Sequence, residues 1–569
     1  MAIGNAATLT PQIDVNKGRA VPVVQTFPVP AGDAAFEKTR RHLINQFDAK
    51  IPQNYIIARH VIDNPPMDVT DIPRSCGILS AEEIAITEDY DTVDLAEAIA
   101  ERKYTAVAVA TAFSKRAIIC HQISNCLTQW FPEEAIKQAK SLDDYLDEHG
   151  HTIGPLHGVP ISLKEHIAIR GRETSYGFLA SNHVSDDDSL LVSILRDSGA
   201  VFYVKTMQPQ GLLHMESDNH MGRVLNPYNI HLSAGGSSGG EAALVALRGS
   251  VLGVGSDLGG SIRAPSAFCG LYGFKPTANI LPMQGLLPRG FSAGLNIQPS
   301  VGPMCRSLSD MHLFMETVLD SKPYLRDPLL VPIPWTGTKT SMTSRLKIGI
   351  MAMDGMITPM PPLTRAIAWA QKKLESCPDV EVKSFTPYRA REALDLTRRI
   401  FTPDGGVGFR KLLAASGEPE HFLSTAVLDK ATDSSHVNQI SMLRAERDDF
   451  GCEMATHWIE QDVDLVLMPV FVGPAPAHDT GIYKGYTSVW NLVDYPAVAI
   501  PTPLVAEAKG GEKYADQQDI GVEDQYVRRM FEVTDYAGAP SGLQLIARKH
   551  HDNLLFGALR LLQDVLELK

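Results

Sequence analysis

The residues best suited to chemistry are serines that directly follow paired glycines. Two such runs lie close together, GGSSGGE at residues 235–241 and DLGGS at residues 257–261. Paired glycines let backbone N–H groups approach a bound oxygen because no Cβ stands in the way. Several N–H groups that converge on one point form an oxyanion hole, which stabilises the intermediates of acyl transfer. A tight turn between a strand and a helix would give the same pattern, so the second serine run is needed to favour catalysis.

One lysine has an unusual position in the sequence. Lys164 ends the apolar run GVPISL at residues 158–163. A lysine at the end of a buried strand is costly unless it is paired or neutral. A neutral lysine could take the proton of a serine hydroxyl, which is a poor nucleophile until a base activates it. A snorkelling surface residue is the alternative for a lone lysine, and the two serine runs favour the base.

The glycine-rich stretch also resembles three other motifs. The 235–241 run has the glycine spacing of a P-loop, but Glu241 stands where a lysine is needed, and its carboxylate would repel phosphate. The run GVG at 253–255 begins like a dinucleotide fingerprint, but Leu258 occupies the third glycine position. Residues 235–239 satisfy G-x-S-x-G, the nucleophile elbow of α/β-hydrolases, which needs a later histidine. The elbow stays an alternative mechanism, with four candidate histidines, His457, His478, His550 and His551.

Alternating helical and strand patterns predict that an α/β fold positions these loops. Strands are expected at 159–163, 200–204, 346–351, 380–385, 465–468, 497–500 and 543–546. Helices are expected at 36–47, 81–86, 94–102, 106–123, 132–148, 189–197, 363–375 and 553–568. Residues 1–88 are rich in proline and are predicted to wrap the core as an N-terminal extension, while residues 89–569 form the catalytic domain.

Composition excludes several classes of protein. The chain has 569 residues, of which 44% are hydrophobic and 21% charged, and a net charge of -14. These are ordinary globular values, and the acidic balance argues against nucleic acid or an anionic membrane as the main partner. Seven cysteines without CxxC spacing argue against a disulfide framework. With no secretory signal or apolar span in view, we expect a cytoplasmic protein. The cluster of His214, His220 and His231 suits no common zinc motif.

Several motifs together resemble the amidase signature family of serine hydrolases, and most closely its fungal acetamidase-like branch. The motifs are GPLHGVP at 154–160 leading to Lys164, the 235–241 run, and a long block at 255–277. The resemblance extends over residues 96–558. Two residues depart from the family pattern, because Glu165 stands where most members have aspartate and Ala242 where glycine is common. We expect both residues to alter the properties of the neighbouring catalytic groups without abolishing the reaction.

The resemblance implies an amidase signature fold, in which helices cover both faces of a large central mixed β-sheet. It also implies a Ser–Ser–Lys triad: Ser261 as nucleophile, Ser237 as relay on a cis peptide bond after Gly236, and Lys164 as general base. The remaining implied site residues are the oxyanion-hole residues Leu258, Gly259, Gly260 and Ser261, the supporting residues Ser238, Asp257 and Arg263, and the equally placed substrate-loop residues Gly211 and Leu212. Arg263 is a candidate for the cation that lowers the pKa of Lys164.

The leading functional hypothesis is hydrolysis of a carboxamide to a carboxylate plus ammonia or an amine. A biosynthetic acyl transferase or esterase could use the same acyl-enzyme, and an amidotransferase subunit is a further alternative. No cofactor and no metal are expected. The expected partner is a small-molecule amide, with no nucleic acid and no membrane, and a homodimer is the assembly considered.

Overall fold

A mixed sheet of eleven strands runs through the molecule, and a computed structural model describes it for residues 11–24, 27–286, 297–428, 437–515 and 518–569. The strands are β1 Leu127–Trp130, β2 Pro160–Lys164, β3 Val201–Thr206, β4 Leu252–Asp257, β5 Tyr272–Lys275, β6 Ser300–Cys305, β7 Leu346–Ile350, β8 Val380–Ser384, β9 Leu465–Pro469, β10 Ala497–Ile500 and β11 Leu543–Ala547.

Parallel and antiparallel pairs are both present in this sheet. Its spatial order is β8-β7-β9-β11-β10-β5-β6-β4-β2-β3-β1. The pairs β8/β7, β7/β9, β4/β2 and β2/β3 are parallel, and the other six are antiparallel. The predicted α/β class with a central mixed sheet is confirmed.

Nineteen α-helices accompany the sheet in the described residues. They are α1 Ala34–Asp48, α2 Arg59–Asp63, α3 Ile72–Ser75, α4 Ala81–Glu88, α5 Thr92–Ala100, α6 Ala106–Ser124, α7 Pro132–His149, α8 Leu190–Asp197, α9 Gly239–Ala246, α10 Arg263–Phe268, α11 Leu308–Asp320, α12 Pro361–Glu375, α13 Ala390–Phe401, α14 Val407–Ser416, α15 Phe422–Leu428, α16 Val437–Gln461, α17 Gly485–Leu492, α18 Val522–Val533 and α19 Asp552–Leu561. Of these, no helix is long and apolar enough to cross a membrane.

Around β9, β10 and β11, two hydrophobic cores lie on opposite faces of the sheet. In β9, Leu465 and Leu467 belong to one core and Val466 and Met468 to the other. The alternation follows from the period of two in a strand, where successive side chains point to opposite faces. Every residue of β2, β3, β4, β6, β9, β10 and β11 is buried. The central strands are therefore covered on both faces, as is typical of sheets packed between helices.

The parallel pair β2 and β4 fixes the place of the candidate base. Leu163 in β2 pairs with Val254 in β4, so both strands end at the same edge of the sheet. Lys164 ends β2 and Asp257 ends β4. The glycine–serine run at 257–261 begins at the end of β4 and connects it to α10. The run at 235–241 leads into α9.

Most predicted elements are present with their ends shifted by one or two residues. The largest discrepancy is the C-terminal helix, predicted to 568 but ending at Leu561 and followed by turns. In the N-terminal segment, Val15, Ile44 and Ile86 belong to the same core as β2 and β4. The division into an extension and a catalytic domain stays a prediction. The described part of the chain also has four two-stranded sheets: Gln12–Ile13 with Val29–Pro30, Glu173–Thr174 with His183–Val184, Asp218–Asn219 with Gly222–Arg223, and Leu225–Asn226 with Asn229–Ser233.

Candidate active site

Lys164 and Ser237 are in direct contact. Lys164 Nζ lies 2.6 Å from Ser237 Oγ and 3.2 Å from Ser256 Oγ. The peptide bond between Gly236 and Ser237 is cis, as the resemblance implies. The fold brings these two residues together although they are 73 positions apart in sequence. Because the hydrogen bond is short, a proton can pass between the amine and the hydroxyl.

Burial gives Lys164 the properties of a base. Its side chain is fully buried at the end of β2. Burial disfavours the ammonium form and lowers the pKa of Lys164 to about 7, although the carboxylates of Asp257 and Glu241 act in the opposite direction. A substantial fraction of Lys164 is therefore neutral near pH 7 and able to accept a proton.

The Ser261 loop lies beside the Ser237 loop. The backbone N–H of Ser238 donates to the carbonyl oxygen of Ser261 at 3.2 Å, and Ser261 itself is partly exposed. Gly260 has φ +124°, a conformation that residues with a Cβ rarely adopt. A Cβ on Gly260 would also collide with the side chain of Thr487, so this position requires glycine.

The carboxylate of Asp257 holds the Ser261 loop in shape. It accepts hydrogen bonds from the backbone N–H of Gly260 at 2.7 Å and of Ile262 at 3.1 Å. The Gly260 N–H is thus occupied, which removes it from the predicted oxyanion-hole donors. Within the described chain, the N–H groups of Leu258, Gly259 and Ser261 have no recorded acceptor, so these three stay the predicted donors.

Arg263 forms a buried ion pair with Asp257 instead of facing Lys164. Its Nε donates to Asp257 Oδ2 at 3.0 Å and its Nη2 to Asp257 Oδ1 at 3.1 Å. Burial alone would raise the pKa of Asp257, but the charge and hydrogen bonds of Arg263 lower it well below the usual range. The expectation that Arg263 lowers the pKa of Lys164 is therefore wrong, because its charge is compensated by Asp257 and burial is the main cause of the shift.

Close packing explains the glycines of the first run. A Cβ on Gly236 would lie 2.6 Å from the backbone of Glu216, and one on Gly235 would lie 2.7 Å from Pro265. The run at 253–255 needs glycine for a similar reason, since Gly253 packs directly on the carboxylate of Glu241. Its likeness to a dinucleotide fingerprint thus comes from strand–helix packing.

At the two departures from the family pattern, neither side chain has a hydrogen bond to a site serine, and only the backbone N–H of Ala242 donates to Ser238 O, at 3.1 Å. Glu165 lies in the opposite direction, where its carboxylate accepts hydrogen bonds from Thr128 and from Gln129 Nε2, the latter at 3.3 Å. Ala242 is buried inside α9. Their predicted effect on the site would have to be indirect.

The predicted substrate loop has two consecutive residues of positive φ. Gly211 has φ +59° and Leu212 has φ +61°. Gly211 is enclosed by the rings of Phe178 and Phe409, whereas Leu212 is partly exposed. Exposure favours Leu212 as the residue that would face a substrate.

The four histidines considered for a nucleophile elbow lie elsewhere. His457 Nε2 lies 2.7 Å from Thr386 O, His551 Nδ1 lies 3.0 Å from Lys549 O, and His478 lies near Glu216. The backbone N–H of His550 donates to Thr277 Oγ1 at 3.0 Å. In the described residues no histidine is recorded in contact with Ser237, Ser238 or Ser261, so the lysine is the base that the geometry offers.

One group of side chains in the described residues has metal-ligand chemistry. The atoms of His214, Asp218 and His421 lie within 4.8 Å of one another. However, His421 Nδ1 accepts the backbone N–H of Leu423 at 3.2 Å, so the hydrogen of this ring belongs on Nε2. That nitrogen lies 2.7 Å from Asp218 Oδ2 and donates to it. This geometry describes a histidine–aspartate pair and does not fit a metal ion. Of the other two histidines in the sequence cluster with His214, His220 is buried and His231 is exposed.

Sequence reasoning missed four residues that support the site. Ser256 contacts Lys164, and Thr487 Oγ1 donates to Gly259 O at 2.7 Å. Asn491 Nδ2 donates to Asp257 Oδ1 at 2.9 Å, and Gln544 Oε1 accepts from Arg263 Nη1 at 3.2 Å. Only Ser256 is adjacent to a recognised motif, while the other three lie more than 200 residues away and carry no local signal.

Comparison with known proteins assigns the chain to a family. Residues 108–556 match the family described as Amidase. The chain belongs to the amidase family. A Schizosaccharomyces pombe protein named among the amidases is 40% identical over 516 residues, covering 90% of this chain and 96% of that protein. The Acetamidase of Aspergillus oryzae is 35% identical over 495 residues, covering 84% and 90%.

A solved structure extends the assignment of this amidase-family chain to its fold. The structure of a Fatty acid amide hydrolase superposes with a TM-score of 0.86 at 33% identity, covering 94% of this chain and 95% of that one. The predicted amidase signature fold and the prediction of an enzyme of the amidase class are both confirmed. The roles of individual residues stay predictions.

Proposed function

We propose that this protein hydrolyses a carboxamide to a carboxylate and ammonia or an amine, through an acyl-enzyme on Ser261. The observation that carries the proposal is the 2.6 Å hydrogen bond between Lys164 Nζ and Ser237 Oγ, made by a lysine whose pKa is lowered by burial to about 7. A neutral lysine linked to a serine is the base that an acyl transfer needs.

Acylation would begin with Ser261 Oγ attacking the amide carbon. The Ser261 proton passes to Ser237 Oγ while the Ser237 proton passes to Lys164 Nζ. Collapse of the tetrahedral intermediate breaks the C–N bond, and the leaving nitrogen takes the proton back along the same route. Ser261 is then esterified, the amine departs, and Lys164 is neutral again.

Deacylation would repeat these transfers with water. Water attacks the ester carbon and gives one proton to the Ser237–Lys164 pair, which returns it to Ser261 as the ester bond breaks. The product leaves as a carboxylic acid and loses its remaining proton to solvent, which gives the carboxylate. The N–H groups of Leu258, Gly259 and Ser261 are the proposed donors to the oxyanion in both steps. Asp257 supports them by holding the intervening Gly260 N–H.

A substrate panel tests the proposal. Acetamide, longer aliphatic amides, aromatic amides and anilides are supplied to the wild type and to Ser261→Ala, and release of ammonia or amine is measured. The proposal requires release with the wild type and none with Ser261→Ala. The Acetamidase relatives motivate the smallest substrate, and the Fatty acid amide hydrolase likeness motivates the longest. Absence of release with every amide, together with turnover of esters, would favour the esterase alternative.

Further expectations belong to this proposal. Transfer of the acyl group to an added amine or alcohol in place of water would identify a biosynthetic acyl transferase. An amidotransferase subunit would release ammonia only with its partner subunits. Cytoplasmic location and a homodimer stay predictions that cell fractionation and sedimentation can test.

A further inference from the structure

Lys484 lies where the predicted substrate loop meets the oxyanion loop. It directly precedes α17, and its carbonyl oxygen accepts the backbone N–H of Thr487 at 3.1 Å and of Ser488 at 2.9 Å. Thr487 in turn donates to Gly259 O at 2.7 Å and packs on Gly260. The backbone of Lys484 is thus tied to the loop that carries Ser261.

The side chain of Lys484 connects to the other loop. Its Nζ donates to the carbonyl oxygen of Leu213, the residue after Gly211 and Leu212. The same Nζ lies 5.8 Å from the ring centroid of Phe401. Phe401 lies against the oxyanion loop, because a Cβ on Gly259 would be 2.8 Å from its ring. The ammonium group therefore lies between the two loops that would enclose a substrate.

Lys484 has no acidic partner among the described residues. Its Nζ donates to a backbone carbonyl oxygen, and among the described residues no carboxylate contributes to the shift of its pKa. Burial, together with the like charge of Arg398, lowers the pKa of Lys484 to about 7. His214, whose pKa burial lowers to about 3, is neutral and supplies no counter-charge. With this pKa about half of Lys484 is protonated at pH 7, and an ammonium group without a counter-charge is costly in such surroundings unless a ligand supplies the missing negative charge.

We propose that Lys484 binds a carboxylate of the substrate, so that the enzyme prefers amides that carry an acidic group on their acyl portion. This inference rests on the proposed function, since it concerns the substrate of the same site. Monoamides of dicarboxylic acids are the simplest molecules of this class. Their free carboxylate would pair with Lys484 while the amide carbon lies at Ser261.

The rest of the surroundings can accommodate a short acyl chain that ends in one anion. Lys484 is partly exposed as a residue, as are Leu212, Leu258 and Ser261. Phe401 and Leu258 offer apolar contact to the methylene groups that separate the amide from the acid. Arg398 is a second cation in this region, but its Nη1 lies 3.6 Å from Asp395 Oδ1. Its charge therefore already has an acidic partner.

The experiment compares matched substrates. Each neutral primary amide of a length series, such as butanamide, is paired with the amide of equal carbon number that ends in a carboxylate, such as succinamate. The ratio of kcat/KM within each pair is measured for the wild type, Lys484→Met, Lys484→Gln and Lys484→Arg. Lys484→Gln is the control for structure, because it keeps a donor for Leu213 O without the charge. Protection of Ser261 against a fluorophosphonate probe by each amide gives a binding readout that does not need turnover.

We expect the wild type to favour the acidic member at its best chain length. Lys484→Met and Lys484→Gln should both lower that preference by about tenfold to a hundredfold, the worth of a charge-assisted hydrogen bond. Lys484→Arg should retain part of it. Equal ratios in wild type and Lys484→Gln at every length overturn the proposal. If acidic amides protect Ser261 through Lys484 but no amide is ever hydrolysed, the proposed function fails and the binding role of Lys484 stands.

Discussion

Replacing Lys164 by arginine separates a general base from a merely structural cation. Arginine keeps the positive charge and the hydrogen-bond donors but stays protonated at any usable pH. If Lys164 removes the proton from Ser237, folded Lys164→Arg should lose at least about a hundredfold in kcat/KM, the scale of a lost general-base step. Lys164→Met serves as the second variant, since it removes the base without adding the bulk of a guanidinium group.

The pH profile of the wild type gives the size of the effect. With a pKa of about 7, about a tenth of Lys164 is neutral at pH 6, half at pH 7 and about nine-tenths at pH 8. The neutral form is the active one, so kcat/KM should rise about tenfold between pH 6 and pH 8 and then level off. An exposed lysine of pKa about 10.4 would give a rise of about a hundredfold over the same interval and no plateau below pH 10.

The chain offers a matched control in Lys205. This lysine lies on the adjacent strand β3, is also fully buried, and has a pKa that burial lowers to about 8. Its Nζ donates to Glu173 O at 2.6 Å and to Thr174 Oγ1 at 3.0 Å, not to a site serine. Lys205→Arg should keep the pH limb of the wild type. Thermal unfolding checks that each variant folds, and substantial activity in folded Lys164→Arg would refute the assignment of the base.

Three further predictions concern the serines and the buried acid. Ser261→Ala should lose covalent labelling by a fluorophosphonate, whereas the exposed Ser75→Ala should keep it; peptide mapping of a label on Ser237 or Ser238 in Ser261→Ala would instead support the nucleophile elbow. Ser237→Ala should lower kcat/KM at least about a hundredfold, and wild-type kinetics in the folded variant would remove Ser237 from the mechanism. Glu241→Gln should leave the free energy of unfolding at pH 7 close to that of the wild type, because burial raises the pKa of Glu241 to about 8. Glu241→Ala should cost about 1–3 kcal/mol in urea unfolding by leaving Ser162 and Thr206 without their partner; equal losses in both Glu241 variants would show that the acid is ionised.

Strands with β-branched and aliphatic residues, including β2 with Lys164, could be predicted from the sequence, and the glycine-containing strands β4, β5 and β6 could not. The pattern predicts 465–468 and 497–500 within one residue of β9 and β10. It does not predict β4, β5 or β6, whose sequences LGVGSD, YGFK and SVGPMC are interrupted by glycine. Their glycines are needed for close packing, such as Gly302 against Phe274 O and Gly273 against Ser266. Tertiary contacts therefore outweigh the low propensity of glycine for β-strands.

The same distinction holds for the site. Lys164 and the two serine runs lie in local motifs, so their chemistry can be inferred from residue type and spacing. Burial alone does not distinguish Lys164 from Lys205, because both are buried strand lysines. The motif before Lys164 and its contact with Ser237 separate them. Thr487 and Asn491 reach the Ser261 loop from α17, and no spacing rule connects positions so far apart.

The network around Glu241 bears on the protonation state of Lys164, the proposed base. Ser162 Oγ lies 2.5 Å from Glu241 Oε2 and 2.9 Å from Ser250 Oγ, and Ser250 donates to Leu252 O at 2.9 Å. Because a hydroxyl has a single hydrogen, all three contacts are satisfied only if Ser162 donates to Ser250 and Glu241 donates to Ser162. That assignment requires a protonated Glu241, in agreement with its raised pKa. A neutral Glu241 no longer stabilises the ammonium form of Lys164, and Asp257 is already paired with Arg263. The carboxylates near Lys164 are thus neutralised by a proton and by a guanidinium. Burial then remains the main cause that lowers the pKa of Lys164, as the proposed proton transfer from Ser237 requires.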